Sequence, residues 1–253
     1  MDSLETELDR ARELDVSELA DAIETIGFEC TRCGACCKSE DGACGDGSGG
    51  SQPAKTSGSD SSEADPEPHT ATVFPDEIRR LQETGDYDFR DVARPMPYGI
   101  EETPDGPQGE TFEWALQTDD CGDCRFYDET DGVGACTVHA DRPLICRTYP
   151  FSVGLGGTSQ PMGEVVDSVA LGAQREAGET GDSEGMVRAH ECEGLGRDIS
   201  RADAEELAAA LKERAVRELQ EAIGVRDNYE PTDVDGVVVH DSEGQKRPDG
   251  STL

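Results

Sequence analysis

Lysine is almost absent from this sequence, and most of its few basic side chains are arginine. The 22 basic residues stand against 57 acidic ones, which gives a formal net charge of −35. No stretch is rich enough in lysine and arginine to neutralise the phosphates of a nucleic acid. The composition therefore argues against nucleic acid as a partner. The four lysines are Lys38, Lys55, Lys212 and Lys246.

Long apolar runs are missing as well. None approaches the roughly 20 residues that cross a bilayer, and residues 1–5 lack the basic and apolar regions of a secretory signal. We expect a cytoplasmic protein with no membrane partner. In a reducing compartment, ten cysteines are more typical of metal ligands or redox thiols than of structural disulfides.

The excess of acidic side chains would make the chain repel itself at low ionic strength. Molar salt shortens the Debye length to about 3 Å and removes most of that repulsion. The acidic, lysine-poor balance thus resembles the composition of proteins from extreme halophiles. We interpret the acidic residues as a solvated surface rather than as cation-binding sites.

The densest chemical feature is the segment from Cys30 to Cys37, with the spacing Cys-x2-Cys-x2-Cys-Cys. This spacing can place several thiolates on one ion, each sulfur about 2.3 Å from the metal, and Gly34 lets the backbone fold back. Adjacent residues point in different directions, so Cys36 and Cys37 either serve two metal positions or one of them bridges. Burial as small hydrophobic residues is the alternative, but four cysteines this close favour metal binding.

More cysteines follow in two later regions. Residues 121–151 contain Cys124, Cys136 and Cys146, which are spaced too widely for one loop. The segments between them are short and rich in turn residues, so a fold could still bring all three onto the first cluster. Cys192, which two glycines follow, is a natural final ligand.

Charged residues and other ligand types accompany these cysteines. Arg147 adjoins one of them and would offset thiolate charge, whereas Arg142 could equally form surface salt bridges. A lone histidine in a loop is more often exposed or hydrogen-bonded, so His139 is left out of the predicted site. Cys44 is also left out because it lies in a polar, low-complexity stretch. Whether Cys121 takes part stays open.

Short elements are expected around this cysteine-rich region. A short helix begins at Pro75, which suits a first helical position. Phe112, Trp114 and Leu116 alternate with other residues and predict a half-buried strand, and residues 237–239 suggest a short strand. The predicted fold class is α+β: a small, irregular, metal-centred domain of short helices and strands, plus a C-terminal amphipathic helix.

The helical segments at the two ends have clear periodicity. Residues 4–26 read as one or two amphipathic helices, and another opens at Ser200 and ends at Gly224. Gly, Ser and Asp dominate a central stretch that cannot offset its ordering entropy by burial. We divide the chain into an N-terminal helical segment (1–27), a cysteine-cluster domain (28–197) with a disordered acidic insertion (39–69), a C-terminal helix (198–225) and an acidic tail (226–253).

On these residues, the sequence resembles the YkgJ-type cysteine-cluster family, also described as zinc- or iron-chelating CxxCxxCC proteins. The resemblance extends from about Phe28 to Gly196 and is interrupted by the acidic insertion. The family usually has a tyrosine where Val138 and His139 stand. The matching motifs are Phe28-x-Cys30-x2-Cys33-Gly34-x-Cys36-Cys37, Cys124-x-Phe126-Tyr127, Cys136-x2-His139, Arg142-Pro143-x2-Cys146-Arg147-x-Tyr149-Pro150-Phe151 and Cys192-x-Gly194-x-Gly196.

The resemblance implies a metal site made of cysteine. Eight thiols equal two sets of four, which suits two tetrahedral zinc ions or two iron–sulfur centres. A single cluster with spare thiols also fits. The cofactor is thus an iron–sulfur cluster or Zn²⁺, and the sequence does not decide between them. The implied metal ligands are Cys30, Cys33, Cys36, Cys37, Cys124, Cys136, Cys146 and Cys192.

Two hypotheses for function follow. The first is an iron–sulfur protein in electron transfer or an oxidoreductase reaction, with a protein redox partner, since some relatives are described as iron–sulfur oxidoreductases. The second is a zinc-binding structural or interaction module without catalysis, in which the metal supplies folding free energy. A related domain occurs in a flagellin lysine methylase, but a methyltransferase is the weaker reading because no nucleotide-binding glycine motif follows a strand. A thioredoxin-like enzyme is less favoured still, because its βαβ context is missing.

Overall fold

The computed structural model describes residues 2–39, 68–131, 133–161, 163–172, 174 and 185–253. It combines helices with four small sheets, so the predicted α+β class is confirmed. Its described residues form two large hydrophobic cores and one small cluster of Phe74, Leu144 and Ala210. The first cysteine segment runs from Phe28, which packs on the first core, to Cys37, which packs on the second.

The N-terminal segment forms two helices, α1 (Leu4–Glu13) and α2 (Val16–Ile26). Local capping explains the break between them, because the Asp15 carboxylate accepts hydrogen bonds from the backbone N–H groups of Ser17 and Glu18 at 2.8 and 3.1 Å. Helix α2 ends at Gly27, whose φ of 76° suits glycine. The prediction of one or two amphipathic helices is therefore confirmed in its two-helix form.

The first core joins the N-terminal helices to the long C-terminal helix. Helices α1 and α2 pack against the long helix α6 (Arg201–Asn228) and against a three-stranded sheet. That sheet has the strand order β8-β10-β9 and is antiparallel throughout. Its strands are β8 (Phe151–Val153), β9 (Val165–Val169) and β10 (Val187–His190).

The second core is built on a three-stranded antiparallel sheet with the order β1-β5-β2. Helix α3 (Pro75–Gly85) covers it, as Pro75 predicted, and a single turn of helix, α4, leads into β2. The central strand departs from the half-buried prediction, because all three of its residues are buried and Phe112 lies outside it, exposed. The elements are β1 (Thr72–Val73), α4 (Phe89–Val92), β2 (Ala93–Pro95) and β5 (Trp114–Leu116).

A four-stranded sheet with the order β12-β11-β4-β3 completes this half of the molecule. Its strand β11 confirms the short strand suggested near the C-terminus, and it pairs in parallel with β4. The indole N–H of Trp114 donates to the carboxylate of Asp241 at 3.0 Å, which ties this sheet to the second core. The strands are β3 (Ile100–Thr103), β4 (Gly106–Thr111), β11 (Val237–Asp241) and β12 (Gly244–Lys246).

Helix α6 begins as predicted but ends later. The Ser200 hydroxyl accepts a hydrogen bond from the Asp203 N–H at 3.2 Å and caps its first turn. The prediction that Gly224 ends the helix is wrong, because the helix continues to Asn228. A Cβ at Gly224 would stand 2.6 Å from the Cβ of Ser242, so this glycine allows close packing rather than helix termination.

The predicted disordered insertion, residues 39–69, falls mostly outside the described residues, since 40–67 are not among them. Both of its described ends are buried. The Ser39 N–H donates to the carboxylate of Asp123 at 2.8 Å, and the His69 N–H donates to the Gly122 carbonyl at 2.8 Å. The segment therefore leaves and rejoins the fold at one loop.

Candidate metal centre

The first cysteine segment follows α2 and is anchored on one side by the region after β10. Phe28 forms an isolated antiparallel bridge with Leu195, and the Glu29 N–H donates to the Gly194 carbonyl at 3.0 Å. A Cβ at Gly194 would lie 2.3 Å from the Glu29 carbonyl oxygen, so only glycine permits this approach. Cys30 is therefore held near the segment that carries Cys192.

The other side of the segment rests on a hairpin of β6 (Tyr127–Thr130) and β7 (Val133–Cys136). Gly34 has a φ of 77°, and a Cβ there would stand 2.1 Å from the Tyr127 hydroxyl oxygen. A short 3₁₀ turn, Ala35–Cys37, follows it. The backbone carbonyl of Cys37 then accepts a hydrogen bond from the Cys124 N–H at 2.8 Å. Glycine is thus required for the turn that brings Cys36 and Cys37 to the hairpin.

The four later cysteines come from four different elements. Cys124 is buried in the loop before β6, and Cys136 is the last residue of β7. Cys146 lies in the short helix α5 (Leu144–Thr148), and Cys192 follows β10. The Cys192 sulfur accepts a hydrogen bond from the Gly194 N–H at 3.4 Å. All eight predicted ligands are free thiols.

Electrostatic interactions reveal which thiols are neighbours. Burial raises the pKa of Cys192 above its usual value, and Cys33, Cys36 and Cys30 raise it further. A first group therefore consists of three cysteines from the first segment together with Cys192. Two of them, Cys30 and Cys36, are exposed at the surface.

A second group forms around Cys146. Burial raises the pKa of this thiol well above its usual value, and Cys124, Cys36 and Cys136 add to the effect. Burial also raises the pKa of Cys124, to about 11, with contributions from Cys136 and Cys36. Cys37 packs against the same core as these three cysteines.

The adjacent cysteines Cys36 and Cys37 mark the boundary between the two groups. Their sulfur atoms are 3.9 Å apart. The interaction with Cys37 raises the pKa of Cys36 above its usual value, so that without metal this thiol stays protonated at neutral pH. The positive charge of Arg142 acts in the opposite direction on Cys36 and Cys136. The Arg142 guanidinium thus lies near these thiols, although the sequence equally allowed it to be in a surface salt bridge.

The donor set fits zinc or iron, because thiolate is a ligand that both metals accept. The arrangement is not closed, however. Over the described ranges, no group of three or more histidine, cysteine, aspartate or glutamate side chains is placed to hold a metal ion. Metal binding would therefore need rotation of the cysteine side chains or closure of their loops.

Helix α5, which carries Cys146, is held in place by buried charged residues that the sequence reasoning missed. The carboxylate of Glu77 accepts hydrogen bonds from the backbone N–H groups of Phe74 at 3.1 Å and Leu144 at 2.9 Å. It thereby joins the start of α3 to the start of α5. Burial raises the pKa of Glu77. Glu77 lies three residues after Phe74, at the start of a helix. This spacing could have predicted its hydrogen bond with the Phe74 N–H, but not the one with the Leu144 N–H.

Arg214 of α6 holds the other end of α5. It is 2% exposed, donates to the Thr148 hydroxyl at 3.0 Å and to the Phe151 carbonyl at 3.1 Å, and pairs with Glu218 at 2.8 Å. It lies three residues after Leu211, on the buried stripe of the helix. That helical position was the only signal in the sequence that it faces inward.

The sequence left Cys44 and His139 out of the predicted ligands and left Cys121 open. Cys121 is disulfide-bonded, so it is not a free thiol. His139 is exposed, and Arg142, which donates to its carbonyl oxygen at 3.1 Å, lowers its pKa. Cys44 lies outside the described residues. In the part of the chain that the structure describes, no helix is both long and apolar enough to cross a membrane.

An α+β fold that gathers eight free thiols around one cysteine-rich loop defines a cysteine-cluster protein. The chain belongs to the CxxCxxCC family, described as a "Putative zinc- or iron-chelating domain", whose model matches residues 29–193, more than half of the chain. This confirms the resemblance and the zinc-or-iron prediction for the cofactor. No curated protein and no solved structure matches the chain.

Proposed function

We propose that the chain binds metal at two neighbouring positions, each with four thiolates. The observation that carries this proposal is the division of the thiols into two groups that meet at the adjacent pair Cys36 and Cys37. Four thiolates make a complete tetrahedral set for zinc or for an iron–sulfur centre. The first position would use Cys30, Cys33, Cys36 and Cys192, and the second Cys37, Cys124, Cys136 and Cys146.

The assignment of the adjacent pair rests on packing. Cys37 contacts the second core together with Cys136 and Cys146, and its carbonyl oxygen is hydrogen-bonded to the backbone of Cys124. Cys36 lies within the electrostatic reach of both groups. Giving Cys36 to the first position and Cys37 to the second completes both sets of four, because adjacent side chains point to different sides.

The raised thiol pKa values make metal binding a proton-releasing event. Metal binds the thiolate, so each ligand thiol that is protonated beforehand gives up a proton. Cys36, Cys124 and Cys146 have raised pKa values, and they would contribute protons at neutral pH. Metal affinity should therefore rise with pH through the neutral range.

For the role of the centre, we propose first an iron–sulfur protein that transfers electrons to a protein partner. The exposure of Cys30 and Cys36 supports this proposal, because a surface-exposed centre is accessible to another protein.

The second candidate is a zinc module that holds the fold together. Its support is the position of the cysteine loops between the two cores. Cys192 follows a strand of the first core, whereas Cys124, Cys136 and Cys146 belong to the second. A metal on each group would fasten both halves to the loop between Cys30 and Cys37, as structural zinc does in small domains. The acidic surface supports a saline setting for either candidate. The eight free thiols support a reducing compartment such as the cytoplasm, whereas the disulfide-bonded Cys121 does not.

Metal analysis of matched cysteine variants tests the two-position proposal. Protein purified without oxygen in high salt should contain about two zinc ions per chain, or iron with acid-labile sulfide. Cys192→Ser should lose the first position and keep the second, and Cys146→Ser the reverse, so each variant is the control for the other. Loss of all metal in both variants would instead indicate one shared cluster. The visible spectrum then separates the candidates, because an iron–sulfur protein is brown and a zinc protein is colourless.

A further inference from the structure

Arg94 is a partly buried arginine that forms no ion pair with the described residues. It lies in the middle of β2, and burial lowers its pKa. Among the described residues no carboxylate forms an ion pair with it, although the chain has 57 acidic residues. Its Nη2 donates to the His69 carbonyl at 2.8 Å, but its buried Nε has no hydrogen-bond partner. A desolvated guanidinium normally has a compensating anion.

The imidazole of His69 adds a second buried group with no partner. His69 is 4% exposed, and its Nδ1 is buried without a hydrogen bond. The charge of Arg94 acts directly on this ring, so the two side chains are close. In the neutral tautomer that carries its proton on Nδ1, the ring would present a second N–H donor.

We propose that Arg94 and His69 form a binding site for a small anion, with chloride as the occupant in a saline setting. The anion would accept hydrogen bonds from Arg94 Nε and His69 Nδ1 and neutralise the guanidinium. Two N–H donors and one positive charge recognise a monoatomic anion without requiring the flat, two-oxygen shape of a carboxylate.

An acidic side chain that acts on His69 is hydrogen-bonded to other groups. Asp123 lies close enough to raise the pKa of His69. Its Oδ1, however, accepts hydrogen bonds from the Ser39 N–H at 2.8 Å and the Ser39 hydroxyl at 3.2 Å. Tyr98, the other ionisable neighbour that acts on Arg94, is a phenol rather than a carboxylate. Neither neighbour forms an ion pair with Arg94, so its guanidinium has no direct counter-ion among the described residues.

The position of the site gives the anion a structural consequence. The His69 N–H donates to the Gly122 carbonyl at 2.8 Å, and Gly122 lies two residues before Cys124. A bound anion would fix His69 against β2 and so hold the loop that leads to Cys124. Occupancy of the site would thereby couple the chloride concentration to the stability of the cysteine loop.

Two measurements on the full chain test the site. The first replaces chloride with bromide in crystals of the wild-type protein and looks for anomalous scattering beside Arg94 Nε. The second measures the excess ³⁵Cl NMR line width of the wild type, Arg94→Gln and Arg125→Gln. Arg125 is the matched control, because it is exposed and paired with Asp91 at 2.7 Å, so its loss changes the net charge equally.

We expect a bromide peak within hydrogen-bond distance of both Arg94 Nε and His69 Nδ1. The excess line width should be lost in Arg94→Gln and kept in Arg125→Gln. Equal line widths in the wild type and Arg94→Gln, or a wild-type crystal with water and no bromide at this place, would overturn the proposal. The bromide measurement decides alone if Arg94→Gln does not fold.

Discussion

Among single residues, His69 links the pH to the stability of the fold. Its pKa is lowered from 6.5 to about 4, mainly by burial and also by the charge of Arg94, with Asp123 acting in the opposite direction. The folded chain then binds fewer protons at this ring than the unfolded chain between these two values. Stability is therefore complete above pH 6.5 and is lost as the pH falls towards 4, at a cost of about 3 kcal/mol.

The measurement is urea unfolding of the wild type and His69→Gln across this pH range. Chloride-free buffer is needed, because an anion beside Arg94 would favour the charged imidazole. The free energy of unfolding of the wild type should fall more steeply than that of His69→Gln as the pH decreases. Parallel pH profiles for the two proteins would show that His69 titrates normally in the folded state.

The residues that could be predicted from the sequence are those whose signal is local. The spacing from Cys30 to Cys37 indicates metal ligands without any knowledge of the fold. Glu77 and Arg214 could not be found in this way, because a charged side chain is expected at the surface. Their burial depends on partners far along the chain, such as Leu144 for Glu77 and Thr148 for Arg214.

At the scale of elements, the close contact of α6 with the turn after β11 makes a prediction about Gly224. Alanine is favoured over glycine inside a helix by about 1 kcal/mol. A Cβ at this position would nevertheless lie 2.6 Å from the Ser242 Cβ and 3.1 Å from its Cα. Because such overpacking typically costs about 1–3 kcal/mol, Gly224→Ala should lower the free energy of unfolding despite the better helix propensity.

A double-mutant cycle measured by denaturant unfolding checks this cause. In the Ser242→Gly background the closest contact is removed, so Gly224→Ala should cost less than it does in the wild type. The expected coupling between the two sites is about 1 kcal/mol. If Gly224→Ala stabilises the wild-type chain, then the helix end moves freely and the contact with Ser242 imposes no constraint.

The elements that were predicted correctly are again the ones with local signals. Helices α1, α2 and α6 begin at capping residues, and each buries a stripe with helical spacing. The alternation of apolar residues around Trp114 predicts a half-buried strand. Such a pattern identifies one apolar face of the strand and does not show whether the other face is covered. Helix α3 and strand β11 both contribute residues to the core around this strand, and their contacts are non-local. Strands of two to four residues around it carry too little pattern to be predicted.

For the whole molecule, the net charge of −35 predicts a strong dependence of stability on salt. The Debye length falls from about 30 Å at 0.01 M salt to about 3 Å at 1 M, so repulsion across the surface weakens progressively. The melting temperature should therefore rise with salt throughout this range, in sodium chloride and in sodium gluconate alike. If the melting temperature rises in sodium chloride but not in sodium gluconate, the effect comes from anion binding rather than from screening.

The parallel pairing of β11 with β4 also sets an order of events during synthesis. Trp114 is the only tryptophan of the chain, and its indole partner Asp241 is made 127 residues later. Val239, which is fully buried in the same core, comes equally late. During synthesis on the ribosome, the second core therefore stays incomplete, and the Trp114 indole N–H lacks this partner, until β11 has emerged. A nascent chain that stops before Val237 should show red-shifted tryptophan emission, and the shift should disappear once Asp241 is free to reach the core.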